Sequence, residues 1–177
     1  MSHFAAAVVR SEGQWSASEL SLTDAADVQD VADRLRDADP SADVALLFVE
    51  SDDAYLTILR LDEGEDLRVF SSDAAFADES RVGALLLGES PQTSVEIDAE
   101  LTAPPTPDAE PAKGAADPGD PGLVEPAGDP ALLADLGVPA THLLALCANE
   151  DLLPSDVTAE VCMAIGAGDD VEELREA

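Results

Sequence analysis

The sequence predicts an α+β protein, and three observations carry that prediction. Residues 1–89 present strand and helix signals in the order ββαβββα, residues 90–127 lose all apolar periodicity, and residues 128–177 return as short leucine-bearing helices. The expected layout is an N-terminal domain over 1–89 built on an antiparallel sheet with packed helices, a disordered Pro/Gly/Asp-rich linker over 90–127, and a small helical segment over 128–177.

Residues 4–9 are an apolar run, Ser11-Glu12-Gly13-Gln14 is a turn, and residues 15–22 roughly alternate polar and apolar side chains; together they read as a β-hairpin. Trp15, the single tryptophan, reads as a core anchor, because large aromatics dominate burial. Thr23 is placed to cap a helix with Asp24 and Asp27 in its first turn and Val28, Val31 and Leu35 on one stripe, and Asp39-Pro40-Ser41 ends it. Residues 44–49 are continuously apolar, as in a central strand covered on both faces, and residues 55–61 form another such run after Ser51-Asp52-Asp53. A turn at Asp62-Glu63-Gly64-Glu65-Asp66 leads into a short strand over 67–70. Asp73 is placed to cap a second helix from Ala74 to about Leu87, with Phe76, Val82 and Leu86 on its apolar side and Gly88 as its stop. This order of elements occurs in longin and roadblock folds, where a five-stranded antiparallel sheet carries the helices.

The stretch PPTPDAEPAKGAADPGDPG cannot bury enough apolar surface to offset its ordering entropy, so it is expected to act as an extended tether. Structure resumes at Asp129-Pro130, an N-cap followed by proline, through Leu132, Leu133 and Leu136 to Gly137. Pro139 starts another helix with Leu143, Leu146 and Cys147 on one face, and Ser155 is placed to cap a third that gathers Val157, Val161, Ala164 and Ile165. Gly166-Ala167-Gly168 closes it, and residues 169–177 add a turn or two of acidic helix. About fifty residues are at the lower edge of what folds alone. These helices need either the sheet or an outside partner to bury their leucines, and Leu132, Leu136, Leu143 and Leu146 are the candidate partner-binding residues.

Charge narrows the function. Lys and Arg total 8 against 39 Asp and Glu, a formal charge of −31, which repels phosphate backbones and anionic membranes. Direct nucleic-acid or lipid binding is therefore not expected, whereas a basic protein partner is compatible. No apolar stretch approaches membrane-spanning length, and the start MSHFAAAVVR lacks a signal peptide's basic region, so a cytoplasmic location is expected.

No catalytic constellation emerges. The two histidines are His3 at the start and His142 in a leucine-rich helix, where it reads as a boundary residue with its tip in solvent. Cys147 and Cys162 read as small buried hydrophobes, and a zinc site joining them to His142 would be one ligand short. The acidic turns at 51–53 and 62–66 lack EF-hand spacing, and no phosphate loop, dinucleotide turn, nucleophile elbow or zinc-deaminase signature is present. No cofactor, metal or catalytic residue is assigned.

Four stretches taken together do carry a resemblance: SHFAAAVVRSEGQW, LLFVESDDAYLTILRLDEGEDLRVFSSD, ALLLGE and GDPALLADLGVPATHLLALCANEDLLPSDV. In their order and in the run Gly-Asp-Pro-x-Leu-Leu-Ala-Asp-Leu-Gly, the chain resembles the tRNA adenosine deaminase-associated proteins of actinobacteria. The resemblance implies association with the zinc enzyme that converts adenosine to inosine in a tRNA anticodon, and it brings no functional residues and no activity of its own. Two readings follow: a non-catalytic accessory protein for that deaminase, and a self-associating longin/roadblock-type scaffold, homodimeric through a sheet edge or helix face, serving an unrelated partner.

Overall fold

The computed structural model describes residues 3–51, 54–79, 81–88, 126–149 and 151–176. The stretch 90–125 of the expected linker and the side chain of Phe76 lie outside the described residues. The fold is α+β. Six strands, β1 (His3–Ser11), β2 (Gln14–Glu19), β3 (Val44–Ser51), β4 (Tyr55–Asp62), β5 (Asp66–Ser71) and β6 (Ala127–Gly128), form one sheet in the order β2-β1-β3-β4-β5-β6. Every neighbouring pair is antiparallel.

Tight turns set the register. Glu12 and Gly13 both adopt positive φ (52° and 83°), the two-residue geometry whose twist matches a hairpin, and Gln14 then pairs with Ser11. From β2 the chain crosses under the sheet as α1 (Val28–Ala38) and returns as β3 on the other side of β1. After β5 come α2 (Ala74–Glu79) and α3 (Arg81–Gly88). The later helices are α4 (Ala140–Cys147), α5 (Pro154–Ile165) and α6 (Gly168–Glu176), preceded by a short 3-10 turn over Ala134–Leu136.

Strand alternation sorts the core into two clusters, one per sheet face. Ala5, Ala7, Val9, Ala45, Leu47, Val49, Leu59, Leu61 and Val69 meet Val28, Val31 and Leu35 of α1 and Leu86 of α3. On the opposite, even-numbered face, Val8, Leu46, Phe48, Leu56, Ile58 and Phe70 meet Leu132, Leu133, Leu143, Val157 and Val161. The sheet itself, together with these C-terminal helices, thus buries the leucines, and residues 1–90 and 124–177 form one compact unit.

Several local expectations are corrected. Asp27, not Thr23, caps α1, accepting from Asp30 N at 2.9 Å, because Ala25 first turns inward to a buried position. Helical residues 74–79 and 81–88 fall within the helix expected from Ala74 to about Leu87, residue 80 lying outside the described residues, and Asp73 caps its start by accepting from Ala75 N at 2.9 Å. Pro154 occupies the first position of α5 with Leu153 at its N-cap, where a missing N–H costs nothing, so Ser155 is not the cap. The buried stripe of α5 is Val157, Thr158, Val161 and Cys162, which turns Ala164 outward. Only residues 134–136 of the 130–137 stretch are helical, residues 130–133 forming turns. Ala127, placed in the linker, is instead part of β6.

Candidate functional site

The even face of the sheet carries one charged residue in its middle. Arg60 follows Leu56 and Ile58 at two-residue spacing on β4, so its side chain points into the C-terminal layer, and the residue is 4% exposed. Its guanidinium donates through Nε and Nη2 to Asp62 Oδ1 at 2.9 and 2.8 Å, and through Nη2 to Asp135 Oδ2 at 2.8 Å. Nη1 completes the fork, donating to Asp135 Oδ1 and to the Leu132 carbonyl. Such a planar, two-pronged pair fixes orientation as well as distance. The hydrogen bonds with Asp135 hold the guanidinium protonated, and those from Arg60 draw the Asp135 carboxyl below its usual range.

The run GDPALLADLG, residues 128–137, is the other half of this clamp. Gly128 pairs with Phe70 at the sheet edge, and a Cβ there would lie 2.1 Å from the Val69 carbonyl oxygen, so any side chain would push β6 off. Asp129 closes the next turn by accepting from Ala131 N at 2.9 Å, while its own N–H donates to Val69 O at 2.9 Å. Leu132 and Leu133 then enter the core, Asp135 meets Arg60, and Gly137 ends the 3-10 turn in a left-handed conformation. Gly128, Asp129, Leu132, Leu133 and Asp135 thus each contribute to docking the run on the sheet.

A second charged contact fastens the far end. Glu50, on the same face at the end of β3, pairs with Arg175 of α6. Arg175 also donates to the Ser155 carbonyl at 3.1 Å and lies over the Phe4 ring at 5.6 Å from its centroid. Burial pushes the Glu50 carboxyl up, against the pull of Thr158 and Arg175.

Of the four candidate partner-binding leucines, Leu132 and Leu143 are fully buried against the sheet, and Leu136 and Leu146 are half-buried at the edge of the same cluster. Burial raises both thiols, Cys147 to about 11 and Cys162 to about 12, so neither is a nucleophile at neutral pH. His142 is exposed on α4, and the described residues contain no group of three or more potential metal ligands. On the odd face, a cleft of about 400 Å³ lies between the end of β2 and α3, with His3, Glu19, Ser21 and Arg81 around an apolar floor of Leu20, Leu22, Val82 and Leu85. Tyr55 of β4 is buried, and its hydroxyl has no hydrogen-bond partner among the described residues. Sequence reasoning missed Arg60; the available signal was a lone cation within the apolar run YLTILRL of a chain holding only eight basic residues.

No curated protein and no solved structure matches the chain. Among protein families, residues 3–168 match the one described as Rv3753c-like tRNA adenosine deaminase-associated protein. That span takes in the sheet, helices α1 to α5 and the Arg60–Asp135 clamp, and the chain belongs to this family of Rv3753c-like tRNA adenosine deaminase-associated proteins.

Proposed function

We propose that the protein is a non-catalytic accessory subunit that binds the tRNA-editing adenosine deaminase and regulates its access to RNA. The observation that carries this reading is the family match over nearly the whole chain, whose description pairs the family with that enzyme. Both thiols being protonated by burial supports a binding role over a chemical one. The charge of −31 favours contact with a basic protein surface and disfavours RNA and anionic membranes as direct ligands. In this reading the protein works in the cytoplasm; no helix among the described residues is long and apolar enough to cross a membrane.

The C-terminal layer is the side we assign to the partner. Leu132 and Leu143 serve it by anchoring the layer on the sheet, and Leu136 and Leu146 contribute to its rim. The test is co-elution of the full chain with its genome's own tRNA adenosine deaminase in size-exclusion chromatography at low and moderate salt. A stable complex that weakens with salt is expected; separate elution under both conditions, with and without tRNA, removes the reading. A second reading, a homodimer scaffold, is favoured by one observation: β2 ends the sheet and its outer edge has no strand partner among the described residues. Light scattering on the full chain distinguishes the two, since that scaffold requires a dimeric mass without any deaminase.

A further inference from the structure

The outer face of α5 combines two features found together nowhere else among the described residues. Leu153 and Met163 are the large hydrophobics left most open, at 46% and 61% exposure, and both belong to this one helix and its cap. At 100° per residue, Asp156, Glu160, Met163 and Ala164 fall within one stripe of the helix, centred well away from the buried Val161 and Cys162, and Leu153 is the exposed N-cap at the start of the helix. The apolar ends are about 15 Å apart, at ten residues of 1.5 Å rise, with carboxylates between them.

The neighbouring α6 adds Asp169, Glu172, Glu173 and Glu176, all exposed. The layer's one arginine, Arg175, is occupied with Glu50 and Phe4, so it does not offset this field. An apolar pair set in an acidic surround is complementary to a segment with the inverse pattern, and methionine suits such a face because its unbranched thioether adapts to the side chain it meets.

We infer that this face docks a basic amphipathic helix of a partner protein, seating two of its apolar side chains on Leu153 and Met163 while its Lys and Arg face Glu160 and α6. The inference rests on the accessory role proposed above and names its surface, but its test does not depend on the deaminase. The probe is a fluorescent Leu/Lys amphipathic peptide of about eighteen residues, roughly five helical turns, titrated against the full chain by anisotropy.

Leu153→Ser with Met163→Ser is expected to weaken binding about tenfold or more, as loss of anchors does, with the thermal melt unchanged because both side chains are exposed. Glu160→Lys with Glu172→Lys is expected to weaken it and flatten the salt dependence between about 50 and about 300 mM. Equal affinity in all variants, or no binding to the wild type, overturns the inference. With the deaminase as the titrant, a complex insensitive to both double variants overturns the docking face alone, whereas failure to form any complex overturns the accessory role alone.

Discussion

The two faces of the sheet are covered in different ways. On the odd face, α1 and α3 follow their strands closely in sequence and cover it with Val28, Val31, Leu35 and Leu86, leaving an open cleft beside β2. Among the described residues, the cover of the even face comes from residues 126–176, far along the chain, and is held by the Arg60–Asp135 and Glu50–Arg175 pairs as well as by leucines. A helix joined directly to its strand has few positions to choose from. A segment returning from a distance has many, and a forked ion pair with a close-packed glycine selects one of them. Charge on the even face thus specifies placement, while apolar burial on both faces supplies most of the stabilisation.

This contrast can be broken most strongly at Arg60. Arg60→Leu leaves the buried Leu132 carbonyl and the largely buried Asp62 carboxylate without their donor, the exposed Asp135 adding little, and is expected to cost about 2–4 kcal/mol by urea unfolding. A loss within error would mean that the leucines alone place the layer. Gly128→Ala comes next, at roughly 2 kcal/mol or more, since a backbone oxygen occupies the new Cβ position. It is also expected to raise the labelling rate of Cys162, a fully buried thiol, by loosening the layer that covers it.

Arg175→Leu is expected to cost less, about 1–3 kcal/mol, by leaving Glu50 partly buried without its cation. The pH dependence sharpens the comparison more gently. The Asp135 carboxyl is lowered from an ordinary value of 3.8, so its contribution is present above pH 3.8 and lost as pH falls through the lower, folded value. Asp135→Asn is therefore expected to destabilise the protein at neutral pH, with its gap to the wild type closing in the acid range below 3.8. The shift of Glu50 has the opposite sign: burial raises it above 4.5, so its protonation favours the fold as pH falls toward that value. A gap between Asp135→Asn and wild type that is constant with pH would remove the electrostatic account of the clamp.

Much of the odd face was legible in the sequence, because runs such as residues 44–49 and a turn such as Glu12-Gly13 are decided locally. The misreadings cluster where a distant contact decides. Ala164 fits the apolar periodicity of α5, yet the helix is rotated so that Thr158 and Cys162 face the sheet instead. The two residues of β6 have no periodicity to read, and only Val69 and Phe70 give Gly128 its meaning. Arg60 passes as one more residue of the run 55–61 because its partner lies 75 residues further on. The outer face of α5 was illegible for the same reason: a sequence does not state which side of a helix its own sheet will claim.

In the proposed complex the C-terminal layer stays on the sheet and meets the deaminase with its outer surface. Hydrogen–deuterium exchange on the full chain, free and in the presence of the deaminase, tests it directly. Protection gained over α5 and α6, with β3 and β4 equally protected in both states, is the predicted result. Protection confined to the cleft between β2 and α3, or exposure of β3 and β4 as the layer lifts away, would contradict it.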